Sequence, residues 1–127
     1  MHKVTSILVI IFIVMVVTIA TGCSNGGSAG NDIPIDQALQ MWQNKEAIII
    51  DVRTPQEYKE GHIPGVVNIQ LDQLEGRSSE VPKDKKVLLI CRSGSRSSQG
   101  TSLLRSRGFG NVYNITEGMN KWCGPVE

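Results

Sequence analysis

The residues best suited to chemistry lie in segment 91–97, which reads C-R-S-G-S-R-S. Cys91 follows four apolar residues at 87–90, a run that is typical of a buried strand. A cysteine reacts as its thiolate, and nearby arginines or the amino terminus of a helix lower the pKa of the thiol. The pattern therefore predicts a nucleophilic Cys91 at the carboxyl end of a strand. An inert core cysteine is the alternative, and the two arginines argue against it.

The loop after Cys91 has the composition of an anion-binding site. It contains no bulky apolar side chain, and it leads into a segment that is predicted to be helical over 97–107. In open α/β sheets, ligands bind beyond the carboxyl ends of the strands, where loop N–H groups and the start of a helix attract negative charge. We therefore expect the loop residues to bind an anionic substrate against Cys91, namely Arg92, Ser93, Gly94, Ser95, Arg96 and Ser97.

The charges of the chain are unevenly distributed. The formal net charge is +1, but residues 32–84 hold ten acids and five bases, whereas residues 85–116 hold six bases and no acid. A local positive field around the cysteine loop suits a small anion. The sequence has no long basic tract and no basic face rich in aromatic residues, so nucleic acid is not an expected partner.

The first 22 residues are typical of a targeting segment rather than of a folded element. Lys3 precedes an unbroken apolar run, and small residues then lead to Cys23. This ending resembles the bacterial lipoprotein box, in which the peptide is cut before a cysteine that carries the lipid. We expect a signal peptide over 1–22, lipid on Cys23, a flexible tether over 23–31, and a domain anchored on the extracytoplasmic side of the cell membrane. An uncleaved membrane anchor is the alternative.

In the expected domain, 32–127, short apolar runs alternate with segments that are typical of helices. The run at 47–51 predicts a strand that is buried on both faces and is therefore parallel. The sequence T-P-Q-E at 54–57 is typical of a capping box at the start of a helix. We predict strands at 33–35, 47–51, 66–69, 87–90 and 111–115, with helices or helical turns at 36–44, 54–61, 71–75, 97–107 and 118–122. This alternation predicts an α/β fold with a mostly parallel sheet.

Three stretches of the domain resemble the rhodanese-like sulfurtransferases. They are D-V-R at 51–53 with E-Y at 57–58 and G-H-I-P-G-V-V-N-I at 61–69; the loop at 91–97; and L-L at 103–104 with G-F at 108–109, Val112, E-G at 117–118 and Trp122. Together they cover essentially the whole domain, although Glu117 stands where the family usually has glycine. The resemblance implies a single domain with a five-stranded mostly parallel sheet and helices on both sides.

The resemblance also implies a thiosulfate sulfurtransferase activity. Cys91 would attack the outer sulfur of thiosulfate or a similar anionic donor, release sulfite and keep the sulfur as a persulfide. Cyanide or a thiol would then accept that sulfur, while Arg92 and Arg96 would hold the donor. No cofactor is implied, and the sequence has no Cys/His cluster that suggests a metal. We expect a monomer.

Two other functions stay open at this point. A non-catalytic binding module or persulfide carrier would share the fold, although an inert module would be expected to have lost Cys91. The resemblance also extends to cysteine-loop phosphatases and arsenate reductases, which place five residues between cysteine and arginine. Four residues separate Cys91 from Arg96. The smaller loop suits a sulfur atom better than a tetrahedral phosphoryl group.

The remaining polar candidates are expected to have structural roles. Asp51 would end its strand, and Arg53 would pair with Glu57 on the next helix. His62 lies between glycine and isoleucine in a turn, where we expect it to form hydrogen bonds rather than to act as a base. Cys123 is not expected to form a disulfide with the loop cysteine, because a final helix would carry it too far away.

Overall fold

The computed structural model describes residues 30–127, and the predicted signal peptide, Cys23 and most of the tether lie outside these described residues. The described part contains the strands β1 (Asp32–Ile33), β2 (Ala47–Asp51), β3 (Val67–Asn68), β4 (Lys86–Ile90) and β5 (Val112–Ile115). They form a five-stranded sheet in the order β1-β5-β4-β2-β3, and each neighbouring pair is parallel. This topology confirms the α/β prediction.

The described chain also contains three α-helices, α1 (Ile35–Gln43), α2 (Pro55–Lys59) and α3 (Ser95–Ser106), and 3₁₀ turns at Leu71–Gln73, Ser78–Glu80 and Gly118–Lys121. The largest differences from the predicted bounds are at element ends. β1 and β3 are the two edge strands, and each is two residues long. α3 begins two residues before its prediction, and the last predicted helix is a 3₁₀ turn. No helix among residues 30–127 is long and apolar enough to cross a membrane.

The sheet separates two apolar clusters. Val87 and Leu89 of β4 pack on one side with Leu104 of α3. Leu88 and Ile90 belong to the cluster on the other side, which includes buried residues of α1. Successive side chains of a strand point to opposite faces, so a central strand that is apolar throughout must be covered twice. The prediction of helices on both sides of the sheet is therefore confirmed.

A buried ion pair lies where β2 ends. Asp51 has no exposed surface and Arg53 is 5% exposed. Arg53 Nη2 donates to Asp51 Oδ2 at 2.7 Å and to the Gly61 carbonyl oxygen at 2.8 Å. The prediction that Arg53 pairs with Glu57 is wrong, because the guanidinium turns back to Asp51 at the end of β2 and also binds the carbonyl oxygen of Gly61. Glu57 instead completes the capping box of α2 with Thr54.

Glu117 stabilises the start of α1. The residue before that helix is Pro34, which has no side-chain group that could accept an N–H. Glu117 Oε2 accepts the N–H of Ile35 at 3.0 Å and so places a negative charge at the positive end of the helix dipole. The residue that departs from the family pattern therefore joins the chain after β5 to the start of α1.

We predict that Asp51→Asn strongly destabilises the protein, because it removes the negative charge and leaves Arg53 buried. Breaking a buried pair from one side costs about 3–5 kcal/mol. Glu80→Gln is the matched control, since Glu80 pairs with Arg77 at 2.7 Å on the exposed surface, where such a pair contributes little. Urea unfolding measures the difference. Equal free energies of unfolding for wild type and Asp51→Asn would contradict this account.

Candidate active site

Cys91 is the first residue after β4, and its side chain has no exposed surface. The backbone N–H of Gly94 donates to Cys91 Sγ at 3.1 Å. Ser97 Oγ, in the first turn of α3, lies 3.3 Å from the same sulfur. The structure thus brings the thiol, the loop backbone and the start of α3 together at the carboxyl end of the sheet.

Two glycines allow the backbone to close around the thiol. Gly94 has a φ of 96°, and a Cβ there would lie 1.9 Å from a carbonyl oxygen of the chain after β5. Gly118 has a φ of 62°, and a Cβ there would lie 2.4 Å from the Cys91 carbonyl oxygen. N–H groups of the turn Gly118–Lys121 donate to the carbonyl oxygens of Cys91 and Arg92 at 2.8 and 2.9 Å. Only glycine tolerates both the left-handed backbone and these contacts.

The pKa of the Cys91 thiol is lowered from its ordinary value. Burial by itself raises the pKa, because it removes water from the thiolate. Hydrogen bonds from the backbone N–H groups of Ser97, Ser93 and Gly94 lower the pKa, and the Ser97 hydroxyl lowers it further when its hydrogen is turned to the sulfur, so that together they outweigh burial. The loop therefore favours a negative charge on this sulfur.

Both loop arginines bind one carboxylate, that of Glu57 on α2. Arg96 donates through Nη1 and Nη2 to the two carboxylate oxygens at 2.7 and 2.8 Å, and Arg92 donates through Nε at 3.3 Å. The hydrogen bonds from Arg96 hold the pKa of Glu57 well below its ordinary value, although burial opposes them. Both terminal nitrogens of the Arg96 guanidinium are thus occupied by Glu57. The side chain of Arg92 is 57% exposed and contacts Glu57 only through Nε in the described structure.

The predicted loop residues contribute in different ways. Gly94 and Ser97 contact the sulfur, and Ser93 supplies a backbone N–H. Ser93 and Ser95 are exposed, and Ser95 is the first residue of α3. Arg96 contacts Glu57, with its charge partly neutralised there. The loop is therefore an N–H cradle around the sulfur with an arginine–carboxylate cluster beside it.

The sequence interpretation missed two polar residues of this site. Glu57 was assigned to Arg53, and its capping-box pattern gave no sign of a second partner. Asn114 lies in β5 and is 5% exposed, and its Oδ1 accepts the Ser97 hydroxyl at 2.6 Å. The available signal was an asparagine in the middle of a strand that is otherwise apolar or aromatic, V-Y-N-I.

Other candidate residues lie outside this arrangement. His62 forms hydrogen bonds in a turn, as predicted, with Nδ1 2.9 Å from the Tyr58 carbonyl oxygen and its ring stacked on Tyr58. Cys123 is an exposed free cysteine, and Cys91 is free and buried. Among residues 30–127, no group of His, Cys, Asp or Glu side chains could hold a metal ion.

Comparison with known proteins identifies the family. Residues 35–125 match the rhodanese-like domain family. The putative sulfur carrier protein YrkF of Bacillus subtilis is 35% identical over 82% of this chain, which spans 57% of that relative. A sulfurtransferase of Allochromatium vinosum is 37% identical over 73% of this chain and 88% of its own length. The chain belongs to the rhodanese-like domain family.

A solved structure agrees with this assignment. The crystal structure of a rhodanese-like domain protein from Staphylococcus aureus matches with a TM-score of 0.71 and 26% identity. The match covers 76% of this chain and 96% of that protein. The fold described above is therefore that of a rhodanese-like domain, as the sequence resemblance implied.

We predict that Glu57→Gln lowers the free energy of unfolding at neutral pH by about 1.5–3 kcal/mol, because it loses charge-assisted hydrogen bonds from Arg96. Because the folded-state pKa of Glu57 is depressed, its stabilisation is complete above the ordinary pKa of 4.5 and is lost as the pH falls below that value. The difference between wild type and variant should therefore narrow in acid, as measured by urea unfolding.

The matched control for this prediction is Glu60→Gln. Glu60 follows the same helix, and its carboxylate has only a 3.5 Å contact with the Gln56 amide in the described structure. Its substitution should change the free energy of unfolding little at any pH. A Glu57→Gln effect of constant size from neutral to acid pH would mean that the ion cluster is not its source.

Proposed function

We propose that the protein is a sulfurtransferase that moves a sulfane sulfur from thiosulfate, or a similar small anionic donor, through a persulfide on Cys91 to cyanide or a thiol. The observation that carries the proposal is the placement of Cys91 Sγ at the end of β4, 3.1 Å from the Gly94 nitrogen and beside the start of α3. Membership of the rhodanese-like family supports it, as do the relatives named as a sulfurtransferase and as a putative sulfur carrier.

In the first half-reaction, the Cys91 thiolate attacks the outer sulfur of thiosulfate. A new S–S bond forms, the S–S bond of the donor breaks, and sulfite leaves with the electron pair of that bond. The enzyme keeps a persulfide whose terminal sulfur carries the negative charge. The backbone N–H groups that lower the pKa of the thiol are fixed before the reaction, so they also suit this second anion.

In the second half-reaction, cyanide or a thiolate attacks the terminal sulfur of the persulfide. The new bond forms on the acceptor, the persulfide S–S bond breaks, and the Cys91 thiolate is regenerated. Covalent catalysis in two separate steps predicts ping-pong kinetics. No cofactor is needed for the balance of either step.

The two arginines take different roles in this proposal. Arg96 donates two short hydrogen bonds to Glu57, so its role is to hold the loop in place rather than to bind the donor. Arg92 is more exposed and has the weaker contact with Glu57, which suits it to binding the sulfonate oxygens of thiosulfate. The occupied fork of Arg96 also disfavours the phosphatase alternative, in which that fork would hold a phosphoryl group.

We predict that Cys91 carries the persulfide. The intact mass of the protein should rise by one sulfur atom after treatment with thiosulfate and return to its first value after cyanide. Cys91→Ser should gain nothing, whereas Cys123→Ser, which alters the exposed cysteine, should behave like wild type. Transfer by Cys91→Ser at the wild-type rate would refute the mechanism. Loading by a protein persulfide but not by thiosulfate would favour the carrier function instead.

We predict that Arg92→Ala lowers kcat/KM for thiosulfate by roughly 10–100-fold, because a charge-assisted contact worth about 1.5–3 kcal/mol is lost. The free energy of unfolding should change little, since the side chain is mostly exposed. Arg77→Ala is the matched control, an arginine in an exposed ion pair outside the loop. Steady-state kinetics decide the matter, and unchanged kinetics in Arg92→Ala would leave Arg92 without a role in donor binding.

We also propose that the domain is held at the outer face of the cell membrane by lipid on Cys23. The sequence pattern before Cys23 and the glycine- and serine-rich segment after it support this proposal. In a bacterial host, a fatty-acid analogue should label the wild type and leave Cys23→Ala unlabelled. Recovery of the wild type without label in the soluble fraction would show that the segment has another purpose.

A further inference from the structure

A chain of side-chain hydrogen bonds leads from Cys91 to the edge of the sheet. Ser97 Oγ lies 3.3 Å from Cys91 Sγ and donates to Asn114 Oδ1 at 2.6 Å. Asn114 Nδ2 then donates to Asp32 Oδ1 on β1 at 3.0 Å. Cys91 and Ser97 have no exposed surface, and Asn114 is 5% exposed. The contacts among these three residues are therefore shielded from water, which could otherwise replace them, whereas Asp32 at the end of the chain of hydrogen bonds is half-buried.

The number of hydrogen atoms available in this series of hydrogen bonds limits how many bonds the Cys91 sulfur can accept. A serine hydroxyl has one hydrogen, and here it points to Asn114. Ser97 Oγ can then only accept from the Cys91 thiol. The Cys91 thiolate has no hydrogen and can only accept a hydrogen bond. To donate to it, the Ser97 hydroxyl would have to rotate away from Asn114. Cys91 and Asn114 thus compete for one hydrogen.

Asp32 decides which end of the Asn114 amide takes part in this competition. A carboxylate oxygen can only accept, so it faces the NH₂ group and directs the amide oxygen to Ser97. The reversed amide would place two acceptor oxygens 3.0 Å apart. Parallel pairing of β1 with β5 sets Asp32 opposite Asn114, so the strand register maintains this arrangement.

We propose that Asn114, oriented by Asp32, is a positioning residue that binds the Ser97 hydrogen and so withholds it from Cys91. The ionised fraction of the thiol is then smaller than it would be if only the loop N–H groups acted on the sulfur. A less acidic thiol is the stronger nucleophile once it is ionised, because nucleophilicity falls as the thiol pKa falls. The inference rests on Cys91 as the nucleophile proposed above. It deepens that proposal by adding two residues that do not touch the sulfur.

The charged groups on the elements around Cys91 must be separated from this effect. They are Arg92 and Arg96 on the loop, Glu57 on α2, the Asp51–Arg53 pair after β2, Asp32 on β1 and Glu117 after β5. Substitution of Asn114 changes none of these charges. Substitution of Asp32 removes one, so its effect on the thiol needs a second variant to separate hydrogen bonding from charge.

The test is the pH dependence of Cys91 alkylation by iodoacetamide in the full chain, followed on the Cys91 peptide by mass spectrometry so that other cysteines do not interfere. Asn114→Leu keeps the approximate side-chain volume and removes the acceptor. Its alkylation midpoint should fall by about 0.5–1 pH unit, the equivalent of one hydrogen bond transferred to the thiolate. In a Ser97→Ala background, the same substitution should leave the midpoint unchanged.

Asp32→Asn provides the second variant. It leaves the buried Asn114 side chain in place and allows its amide to reverse, so that the NH₂ group can face Ser97. Its midpoint should also fall, and the shift should be larger with Ser97 present than with Ser97→Ala, where only the charge effect is left. Asp36→Asn, an exposed acid at the start of α1, is the charge-removal control and should show little shift.

The outcomes separate this inference from the proposed function. Shifts that depend on Ser97 support the inference. An unchanged or raised midpoint in Asn114→Leu, or shifts of equal size with and without Ser97, would overturn it. Alkylation reads the thiol directly, so these results do not depend on sulfur transfer. A protein with the expected midpoints that fails to form the persulfide would overturn the proposed function alone.

Discussion

The close contact between the loop after β4 and the chain after β5 is the constraint on which the site depends. The Arg92 carbonyl oxygen accepts an N–H from the turn Gly118–Lys121. Because a peptide group is planar and trans, the N–H of Ser93 points the opposite way from that carbonyl. On that side it donates to the Cys91 sulfur. A hydrogen bond on the outer side of the loop therefore aims a donor at Cys91. Side chains at Gly94 or Gly118 would push the two segments apart.

One carboxylate connects this loop to the other side of the site. Glu57 Oε2 accepts the Thr54 N–H at 3.1 Å as part of the α2 capping box, and the same oxygen accepts from Arg96 at 2.7 Å. The geometry that starts α2 therefore also positions Arg96. The Asp51–Arg53 pair holds the chain just before this helix, so the end of β2 and the cysteine loop are linked through a short series of polar contacts.

The sequence predicted the parts of this molecule that depend on local pattern. β2 has the bounds that its apolar run indicated, and the capping box is present. The partners of charged side chains could not be predicted in the same way. Glu57 is close in sequence to Arg53 but contacts Arg96, because the partner of a long side chain depends on which strand ends meet at the sheet edge. The helix α3 begins earlier than predicted, directly after Gly94, whose backbone is left-handed, and the sequence pattern gave no sign of this conformation.

The burial of Cys91 determines how a donor can reach it. The thiol has no exposed surface in this conformation, so under the proposed function a neighbouring group must move before a donor can reach the sulfur. Displacing Arg96 would break two short charge-assisted bonds and leave Glu57 without its strongest partner. Displacing Arg92 breaks one contact of 3.3 Å on a side chain that is already 57% exposed, and such pairs contribute little. In the reaction proposed above, an anionic donor that replaced this contact would restore the charge balance of Arg92, so the same side chain would serve both the entry and the recognition of the donor.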